Sequence, residues 1–488
     1  MFQRNGKGLL RLIGVAGALA LLPGMASAQW KAKDTEWPTY GADLAGTRYR
    51  PLDQINASNF NDLEIAWRIK TDNFGNRPEY KLEGTPLMVN GVLYTTAGSR
   101  RAAIAVDAVT GELLWIHGEH EGARGGAAPR QLSGRGLAYW SDGKDERIFY
   151  VTPGYQLICL DAKTGARVAS FADKGAIDLK QNDDQEIFPD LTTGEIGIQS
   201  APVVAKNTII IGAAFREGMT PKSMHNNKGY VRGFDVRTGK RLWIFHTIPK
   251  KGEFGYDTWL NGSAEYTGNN GVWTQVTVDE ELGLVYLPVE SPTNDFYGGH
   301  RHGNNLFGET LVCVDLKTGE RKWHYQLVHH PLWDMDISSA PILANITVDG
   351  KPVKAVALPS KQGFLYVLDR VTGKPVWPIE EKQVEVGTVP DEWYSPTQPI
   401  PSKPPAYSRN GVLESDLIDF TPELRERGKA IASKYKLGPV FTPPAESKVG
   451  GPLGTLTVGT ASGGTNWPGG SYDPETHTVY AFACNACA

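Results

Sequence analysis

The sequence predicts an all-β protein whose strands form the four-stranded blades of a β-propeller. The first observation is a turn motif, Asp-x-x-Thr-Gly, that recurs five times along the chain. The second is the pattern of apolar strand residues around this motif, which gives four strands per repeat. The third is the composition, since 13 Trp and 19 Tyr residues favour β-structure. Repetition of one such unit is typical of a propeller.

A cleavable signal peptide is predicted for residues 1–28. A positively charged start is followed by an apolar run over residues 12–22, and Ala26-Ser27-Ala28 supplies the small residues that precede a cleavage point. The alternative, a membrane anchor, needs a longer apolar run. We therefore expect export to the periplasm and a mature chain, residues 29–488, that forms one propeller domain.

Five aspartates begin the copies of the repeat and lie 54 to 80 residues apart: Asp107, Asp161, Asp235, Asp315 and Asp369. In each copy we expect the Asp side chain to accept N–H bonds from the turn, and the Gly to adopt a positive φ. Four copies carry a Trp four residues after the Gly, whereas the copy at Asp161 lacks it. A plain blade needs about 40–50 residues, so the spacing predicts inserted loops, which collect on one face of a propeller.

Two segments depart from the repeat. Residues 378–450 are rich in proline and contain one helix signal, with Thr421 as the N-cap and Pro422 at the first helical position. This segment is predicted to be a covering insertion between blades, with an interdomain linker as the alternative. Residues 479–487 are typical of the opening strand of another blade. About six units are visible, so we expect an incomplete propeller from a longer protein.

The charge of the chain argues against nucleic acid as a partner. The sequence has 50 Lys and Arg residues against 54 Asp and Glu residues, a net charge of −4. A protein that binds nucleic acid usually presents a basic field to the phosphates. No such field is predicted here.

The candidate site is the segment 329–336, which combines a histidine pair and a tryptophan with two carboxylates, Asp334 and Asp336. In an aromatic, partly buried setting, carboxylates are costly unless a cation or metal is near. The alternative is a capped turn with solvated acids. Lys361, at the hairpin end of two apolar strands, is a further candidate, with a surface turn lysine as the alternative. Glu217 and Glu290 follow apolar strands directly and offer oxygen ligands for a hard cation.

Taken in order, the motifs resemble the pyrroloquinoline quinone (PQQ) dependent dehydrogenases, and most closely the quinoprotein glucose dehydrogenase branch. They are Trp37-Pro-x-Tyr-Gly, the segment 46–56, the five repeats, the segment 329–336 and Asn466-Trp-Pro-Gly-Gly-Ser-Tyr-Asp473. The resemblance covers nearly the whole mature chain. It implies an eight-bladed propeller, incomplete in this sequence, with PQQ and a divalent cation, usually Ca²⁺, near its axis.

The resemblance implies a catalytic pair. Asp334 matches the family's catalytic base, which also approaches the metal, and Lys361 matches the cation that contacts the quinone oxygens. Asp336 adds a carboxylate two residues after the base, a spacing that accompanies lanthanide binding in some methanol dehydrogenases. The metal is therefore expected to be Ca²⁺ or another divalent cation, with a lanthanide as the alternative.

Two further metal ligands are implied by the resemblance. Glu217 matches an acidic ligand. Ser291 falls where relatives place Asn or Thr near the metal, and Glu290 and Asn294 are its rivals for this role.

Four residues are implied to bind PQQ besides Lys361. Trp273 matches the indole that stacks under the quinone, Arg135 and Lys70 match basic residues that pair with PQQ carboxylates, and Trp467 lies in the last matching motif. The sequence departs from the glucose dehydrogenases at two positions. Gln131 stands in place of a His, and Lys70 in place of an Arg. These departures bear on substrate choice and cofactor affinity.

The resemblance implies an exported dehydrogenase that oxidises a sugar, polyol or alcohol by hydride transfer to PQQ. Electrons would pass to a membrane quinone or a cytochrome. Two alternatives remain at this point: a non-enzymatic propeller scaffold for outer-membrane assembly, which needs no metal acids, Trp floor or Lys361, and an inactive fragment.

Overall fold

The computed structural model describes residues 33–75, 77–215 and 222–485. The predicted signal peptide lies outside the described residues. Within them the chain is all-β, as predicted, and its sheets are antiparallel and follow one another in chain order. Among these residues, no helix has the length and apolar character that crossing a membrane requires.

The first three blades are complete four-stranded sheets. Blade 1 consists of β1 (Leu87–Val89), β2 (Val92–Ala97), β3 (Ala102–Asp107) and β4 (Leu113–His117). A short helix, α1 (Gly122–Ala127), leads to blade 2, with β5 (Ala138–Ser141), β6 (Glu146–Val151), β7 (Gln156–Asp161) and β8 (Ala176–Asp178). Blade 3 consists of β9 (Val203–Ala205), β10 (Thr208–Ile211), β11 (Val231–Asp235) and β12 (Arg241–Phe245).

The later units become shorter along the chain. Blade 4 is complete, with β13 (Thr277–Asp279), β14 (Leu284–Pro288), β15 (Thr310–Asp315) and β16 (Arg321–Gln326). Blade 5 has three strands, β17 (Ile342–Val348), β18 (Lys351–Pro359) and β19 (Leu365–Asp369). After the hairpin of β20 (Ile379–Gln383) and β21 (Thr397–Pro401), a sixth unit is represented by β22 (Gly470–Asp473) and β23 (Thr478–Ala481).

Each neighbouring pair of blades shares a hydrophobic cluster. Both faces of the third strands β3, β7 and β15 are buried, which explains their nearly continuous apolar sequences. The clusters are represented by these pairs: Tyr94 and Tyr150, Phe149 and Phe234, Val231 and Val285, Tyr286 and Tyr366, and Ile342 and Tyr472. The core therefore lies between blades and holds each unit to the next.

The repeat motif forms a tight turn after the third strand of blades 1 to 5, with the predicted bonds to the Asp side chain. In the first copy, Asp107 Oδ1 accepts N–H bonds from Val109 (3.0 Å) and Thr110 (2.7 Å). Gly111 follows with φ +74°. The other four copies have the same Asp-to-backbone bonds.

The motif tryptophan docks on the turn of the next blade. Trp115 Nε1 donates to the carbonyl of Ala162 (2.9 Å), and its ring covers Gly165, where a Cβ would lie 2.6 Å from the ring. The same contact joins Trp243 to Gly319 and Trp323 to Gly373. The glycine is therefore required for this close approach as well as for its positive φ.

The copy without a tryptophan has a substitute for it. The turn glycine of blade 3, Gly239, packs against Phe171 and Ala172. The guanidinium of Arg147 donates to the carbonyl of Val236 (2.8 Å), which follows the motif Asp directly. An indole N–H binds the carbonyl at the equivalent position of the other turns described above. An aromatic ring and a separate donor thus replace the two functions of one indole.

Residues 378–450 contain the predicted helix, α2 (Pro422–Ala432), and Thr421 accepts the N–H of Leu424 at its start. The 3₁₀-helix Glu414–Asp416 lies in the same segment, and other 3₁₀-helices lie outside it at Phe60–Asp62, Tyr256–Thr258 and Leu260–Glu265. Residues 378–450 pack on the loop that precedes Asp334. Trp333 Nε1 donates to the carbonyl of Thr442 (2.8 Å), and the buried imidazole of His330 binds Glu392 (3.0 Å).

Candidate active site

A cavity of 580 Å³ opens on one face of the propeller. Its charged lining residues are Arg77, Lys81, Glu83, Arg130, Arg135, Glu290, Asp295, Asp334, Asp336 and Lys361, and its aromatic lining residues are Tyr80, Phe215, Trp273 and Trp467. We call Glu290, Asp295, Asp334 and Asp336 the acidic cluster, and Arg77, Lys81, Arg130 and Arg135 the basic group. The cavity thus combines both signs of charge with two indoles.

The alternating directions of the strands in each blade bring these residues to one face. Within an antiparallel blade, the connection from the second to the third strand lies at the same end as the connection to the next blade. Glu290 and Lys361 lie in second-to-third connections, whereas Arg135, Trp273 and Asp334 lie in connections between blades. The repeat turns follow the third strands and therefore lie at the opposite end.

Lys361 joins the two aspartates of the segment 329–336. Its Nζ donates to Asp334 Oδ1 (2.8 Å), to the Asp334 carbonyl (2.9 Å) and to Asp336 Oδ2 (3.2 Å). The Ser291 N–H donates to Asp336 Oδ1 (2.7 Å), and Trp273 Nε1 donates to Oδ2 (3.2 Å). All five residues are buried. The two acids are thus held in a fixed arrangement rather than in a solvated turn.

The two aspartates have opposite pKa shifts. Burial, together with the charge of Asp336, raises the pKa of Asp334 to about 7, although Lys361 opposes the shift. Burial also disfavours ionisation of Asp336, but Lys361 and the Ser291 N–H bond outweigh it and lower the pKa of Asp336. Asp336 is therefore the ionised partner of Lys361, and Asp334 is the carboxylate suited to exchange a proton near neutral pH.

Two further acids complete the acidic cluster. Glu290 accepts the N–H of Gly271 at Oε1 and the Asn269 amide at Oε2, both at 3.1 Å. Burial and the charge of Asp336 raise its pKa well above the usual range. Burial and the charge of Asp334 do the same for the pKa of Asp295. Such crowding of buried carboxylates is typical of a site that binds a cation.

Two of the sequence-predicted binding residues, Ser291 and Lys70, do not line the cavity. The Ser291 hydroxyl donates to Glu309, so that its backbone N–H, rather than its side chain, serves the site. Lys70 is exposed and does not belong to the lining. Glu217 lies outside the described residues, and the described chain before it ends at Phe215, which does line the cavity.

Arg135 lies between two indoles. Its guanidinium carbon is 5.1 Å from the ring centre of Trp273 and 4.4 Å from that of Trp467. Its Nε donates to Glu83 Oε2 (3.2 Å). The cation–π contacts and the carboxylate fix this cation at the cavity wall. The predicted cofactor residues Arg135, Trp273 and Trp467 are thus brought together.

Sequence reasoning missed the other members of the basic group, Arg77, Lys81 and Arg130. They lie in irregular connections without a repeat or motif. One usable signal was the position of Arg130, which shares the connection between blades 1 and 2 with Arg135.

A buried arginine that the sequence analysis also missed links the loops of the acidic cluster. The guanidinium of Arg301 donates to the carbonyls of Thr293 (3.1 Å), Asn294 (2.8 Å) and Pro331 (2.5 Å). It therefore ties the connection that carries Glu290 and Asp295 to the loop that carries Asp334. A fourth bond, to Asn305 Oδ1 (2.8 Å), completes the set, so Arg301 fixes the loops without a direct bond to a carboxylate of the cluster, although its charge acts on Asp295.

Together, the propeller and its cavity assign this protein to the class of cofactor-binding β-propellers. Residues 37–487 match the model of the PQQ family described as glucose/ethanol/alcohol dehydrogenase, β-propeller domain. The chain belongs to this family, and the predicted family is confirmed. Members of the family use PQQ with Ca²⁺ or a lanthanide.

Characterised relatives are similar along almost the whole chain. The quinoprotein glucose dehydrogenase of Escherichia coli (strain K12) is 31% identical over 92% of this chain and 56% of the relative. The glycerol dehydrogenase large subunit of Gluconobacter oxydans (strain 621H) is 29% identical over 91% of this chain and 59% of the relative. The chain thus spans little more than half the length of these relatives.

Solved structures agree with the fold. The quinohemoprotein alcohol dehydrogenase from Comamonas testosteroni superposes with a TM-score of 0.64 at 26% identity, over 93% of this chain and 59% of that one. A europium-containing methanol dehydrogenase superposes with a TM-score of 0.57 at 22% identity, over 87% of this chain and 68% of that one. The second likeness concerns the fold alone.

Proposed function

We propose that this protein oxidises a hydroxyl group of a sugar, polyol or simple alcohol with PQQ as the oxidant. The observation that carries the proposal is the buried Asp334, whose pKa is raised to about 7 beside Lys361 in a cavity with an indole and a basic group. The names of the relatives, which include glucose, glycerol and alcohol dehydrogenases, support the same range of substrates.

The residues present fit PQQ, a flat ring system with three carboxylates. Arg77, Lys81, Arg130 and Arg135 offer cations for the carboxylates, and Trp273 offers an aromatic surface for the ring. When bound, PQQ supplies the two-electron acceptor that takes a hydride from the substrate carbon.

The acidic cluster fits a cation. Asp334, Asp336, Glu290 and Asp295 are buried together, and among the described residues Lys361 is the ammonium group that binds the first two. Buried carboxylates in excess need further positive charge. These residues, with Glu217 as a further candidate, would hold Ca²⁺ or a lanthanide, which acts as a Lewis acid.

The protein's own residues manage the proton. The Asp334 carboxylate accepts the proton of the substrate hydroxyl while the carbon loses its hydride, so a carbonyl product is formed. Lys361 keeps Asp334 oriented through two bonds to the same residue, one to the side chain and one to the carbonyl. Trp273 and the Ser291 N–H keep Asp336 in place as the fixed negative charge beside it.

Location and electron acceptor form the remaining part of the proposal. The signal-peptide pattern of residues 1–28 supports export to the periplasm. There the reduced cofactor would be reoxidised by a membrane quinone or a cytochrome.

Reconstitution tests the proposal. The purified chain is incubated with PQQ and Ca²⁺, and in parallel with PQQ and La³⁺. PQQ absorbance retained after gel filtration and dye-linked oxidation of glucose, glycerol or ethanol are expected. A folded chain that retains no PQQ under either condition contradicts the proposal and favours a propeller without enzymatic function.

A further inference from the structure

The acidic cluster carries more negative charge than its own cation neutralises. Glu290, Asp295, Asp334 and Asp336 are each at most 9% exposed. Lys361 bonds to Asp334 and Asp336 only, and no ammonium or guanidinium group of the described residues bonds to the side chain of Glu290 or Asp295. With all four acids ionised, a formal excess of three negative charges remains.

Asp295 points independently to a positively charged ligand. Its side chain lines the cavity, is 8% exposed, and has no hydrogen-bond partner among the described residues. Its main-chain carbonyl accepts the N–H of Asp334 (3.2 Å), so the two acids are adjacent. A buried carboxylate without a partner is costly, and a bound cation would remove that cost.

Glu290 and Ser291 direct their side chains to different partners. The Glu290 carboxylate faces the cavity, and each of its oxygens accepts one bond, from Gly271 or from Asn269. Each oxygen therefore keeps a lone pair for a further ligand. The Ser291 hydroxyl is instead engaged with Glu309, a buried acid outside the cavity lining.

We propose that Glu290, rather than Ser291, supplies the cation ligand after strand β14, and that its charge makes the site prefer trivalent over divalent cations. This inference rests on the proposed function only in taking the acidic cluster as the cation site. A neutral oxygen attracts a cation through its dipole, whereas a carboxylate adds a Coulomb attraction proportional to the cation's charge. Arg130 offsets part of the Glu290 charge, but it is partly exposed and solvent screens it.

Terbium luminescence measures this preference without any turnover. Tb³⁺ is titrated into the full chain, with and without PQQ, and emission is excited through tryptophan. Trp273 bonds directly to Asp336, so it lies close enough to sensitise an ion in the cluster. Displacement of Tb³⁺ by Ca²⁺ then gives the ratio of the two affinities.

Three variants separate the alternatives. Glu290→Gln removes the proposed charge, Ser291→Ala removes the rival hydroxyl, and Glu281→Gln makes the same change at a glutamate that is 79% exposed in the turn between β13 and β14. We expect Glu290→Gln to reduce the preference for Tb³⁺ over Ca²⁺ about tenfold, because one unit of charge is lost. Ser291→Ala and Glu281→Gln are expected to leave the ratio within about twofold of the parent protein.

An unchanged ratio of Tb³⁺ to Ca²⁺ affinity in Glu290→Gln would overturn the inference. A loss of Tb³⁺ binding in Ser291→Ala, instead of in Glu290→Gln, would overturn it as well. Circular dichroism checks that each variant is folded. If Glu290→Gln does not fold, Glu290→Asp carries the test, because it withdraws the carboxylate by one methylene. Tb³⁺ affinity is then expected to fall more than Ca²⁺ affinity.

Failure of this inference and failure of the proposed function give different results. Glu290-dependent Tb³⁺ binding in a chain that neither retains PQQ nor oxidises a substrate supports the cation site and contradicts the dehydrogenase. PQQ retention and turnover, with a Tb³⁺ to Ca²⁺ ratio that does not depend on Glu290, supports the dehydrogenase and contradicts the inference.

Discussion

Aspartate has opposite roles at the two faces of this propeller. At the repeat turns, Asp107 is solvated and accepts bonds from two backbone N–H groups and the Thr110 hydroxyl, which lower its pKa. In the cavity, Asp334 is buried, and burial raises its pKa to about 7. The turn aspartate is ionised at little cost, whereas the cavity aspartate is held where its negative charge is disfavoured.

The difference separates residues that build the scaffold from residues placed for chemistry. A turn aspartate stabilises the backbone conformation around it, and its partners lie within three residues. The cavity aspartate depends on Lys361, 27 residues away in another connection. Groups with such perturbed pKa values concentrate at functional sites.

Asp334→Asn should have the largest effect. The amide cannot accept the hydroxyl proton, so we expect turnover to fall about 10³-fold, within the range that general-base removal produces. Retention of PQQ, measured by absorbance after gel filtration, should be nearly unchanged, because the cofactor-binding indole and the basic group are untouched.

The same substitution at a turn provides the control. Asp107→Asn should leave turnover within about twofold, since the asparagine oxygen still accepts the turn N–H bonds. Near-normal turnover in Asp334→Asn would contradict the role of Asp334 as the base that accepts the hydroxyl proton. Equal losses in both variants would mean that the comparison between the two faces is wrong.

Lys361→Met should have the next largest effect, on stability. The Lys361 side chain is 3% exposed, and removal of its ammonium leaves two buried carboxylates without the cation that pairs with them. We expect the free energy of unfolding, measured in urea without added cation, to fall by about 3–5 kcal/mol. Saturating Ca²⁺ should restore part of the loss if it binds the folded cluster.

Lys354→Met is the matched control for the loss of a lysine charge. Lys354 pairs with the exposed Glu281, so its replacement should change the free energy of unfolding by less than about 1 kcal/mol. A similar small change in Lys361→Met would mean that Asp334 and Asp336 do not depend on this ammonium.

Gly165→Ala tests the scaffold face. Gly165 has φ +69°, and a Cβ there would lie 2.6 Å from Trp115, whereas Gly283 has φ +67° and nothing within 4 Å of that point. Gly283→Ala should cost about 1 kcal/mol for the left-handed backbone alone. Gly165→Ala should cost about 2–3 kcal/mol, because Trp115 must also move. Equal shifts in thermal midpoint would contradict the docking role of the indole.

The sequence was most informative about the scaffold because the repeat turn is a local structure. Five consecutive residues determine its bonds, so Asp107 and Gly111 could be interpreted without tertiary knowledge. The docking of Trp115 on the next turn joins residues 50 positions apart and was missed. The fixed spacing between the Gly and the Trp was the signal that could have revealed it. The contact of Arg147 with the carbonyl of Val236, which replaces an indole bond, has no such fixed spacing in the sequence.

The site was less predictable because its contacts join separate connections. Segment composition drew attention to Asp334 and Asp336, but the choice between Glu290 and Ser291 depends on which side chain faces the cavity. Successive side chains of an extended backbone point to opposite sides, so a shift of one residue reverses the assignment. Arg301, in a loop rich in Gly and His, resembled a surface charge, and its burial comes from packing alone.

The two classes of aspartate should also differ in how pH affects the stability of the cation-free protein. From about pH 4, the usual pKa of Asp, to about pH 7, folded Asp334 retains a proton that the unfolded chain has lost. Stability from this residue therefore falls as pH rises, by at most about 1.4 kcal/mol per pH unit. The lowered pKa of Asp107 acts in the opposite sense, with stability lost as pH falls. Urea unfolding at pH 5, 6 and 7 should show a slope that Asp334→Asn makes less negative and that Asp107→Asn does not. Identical slopes in the parent protein and Asp334→Asn would contradict the raised pKa.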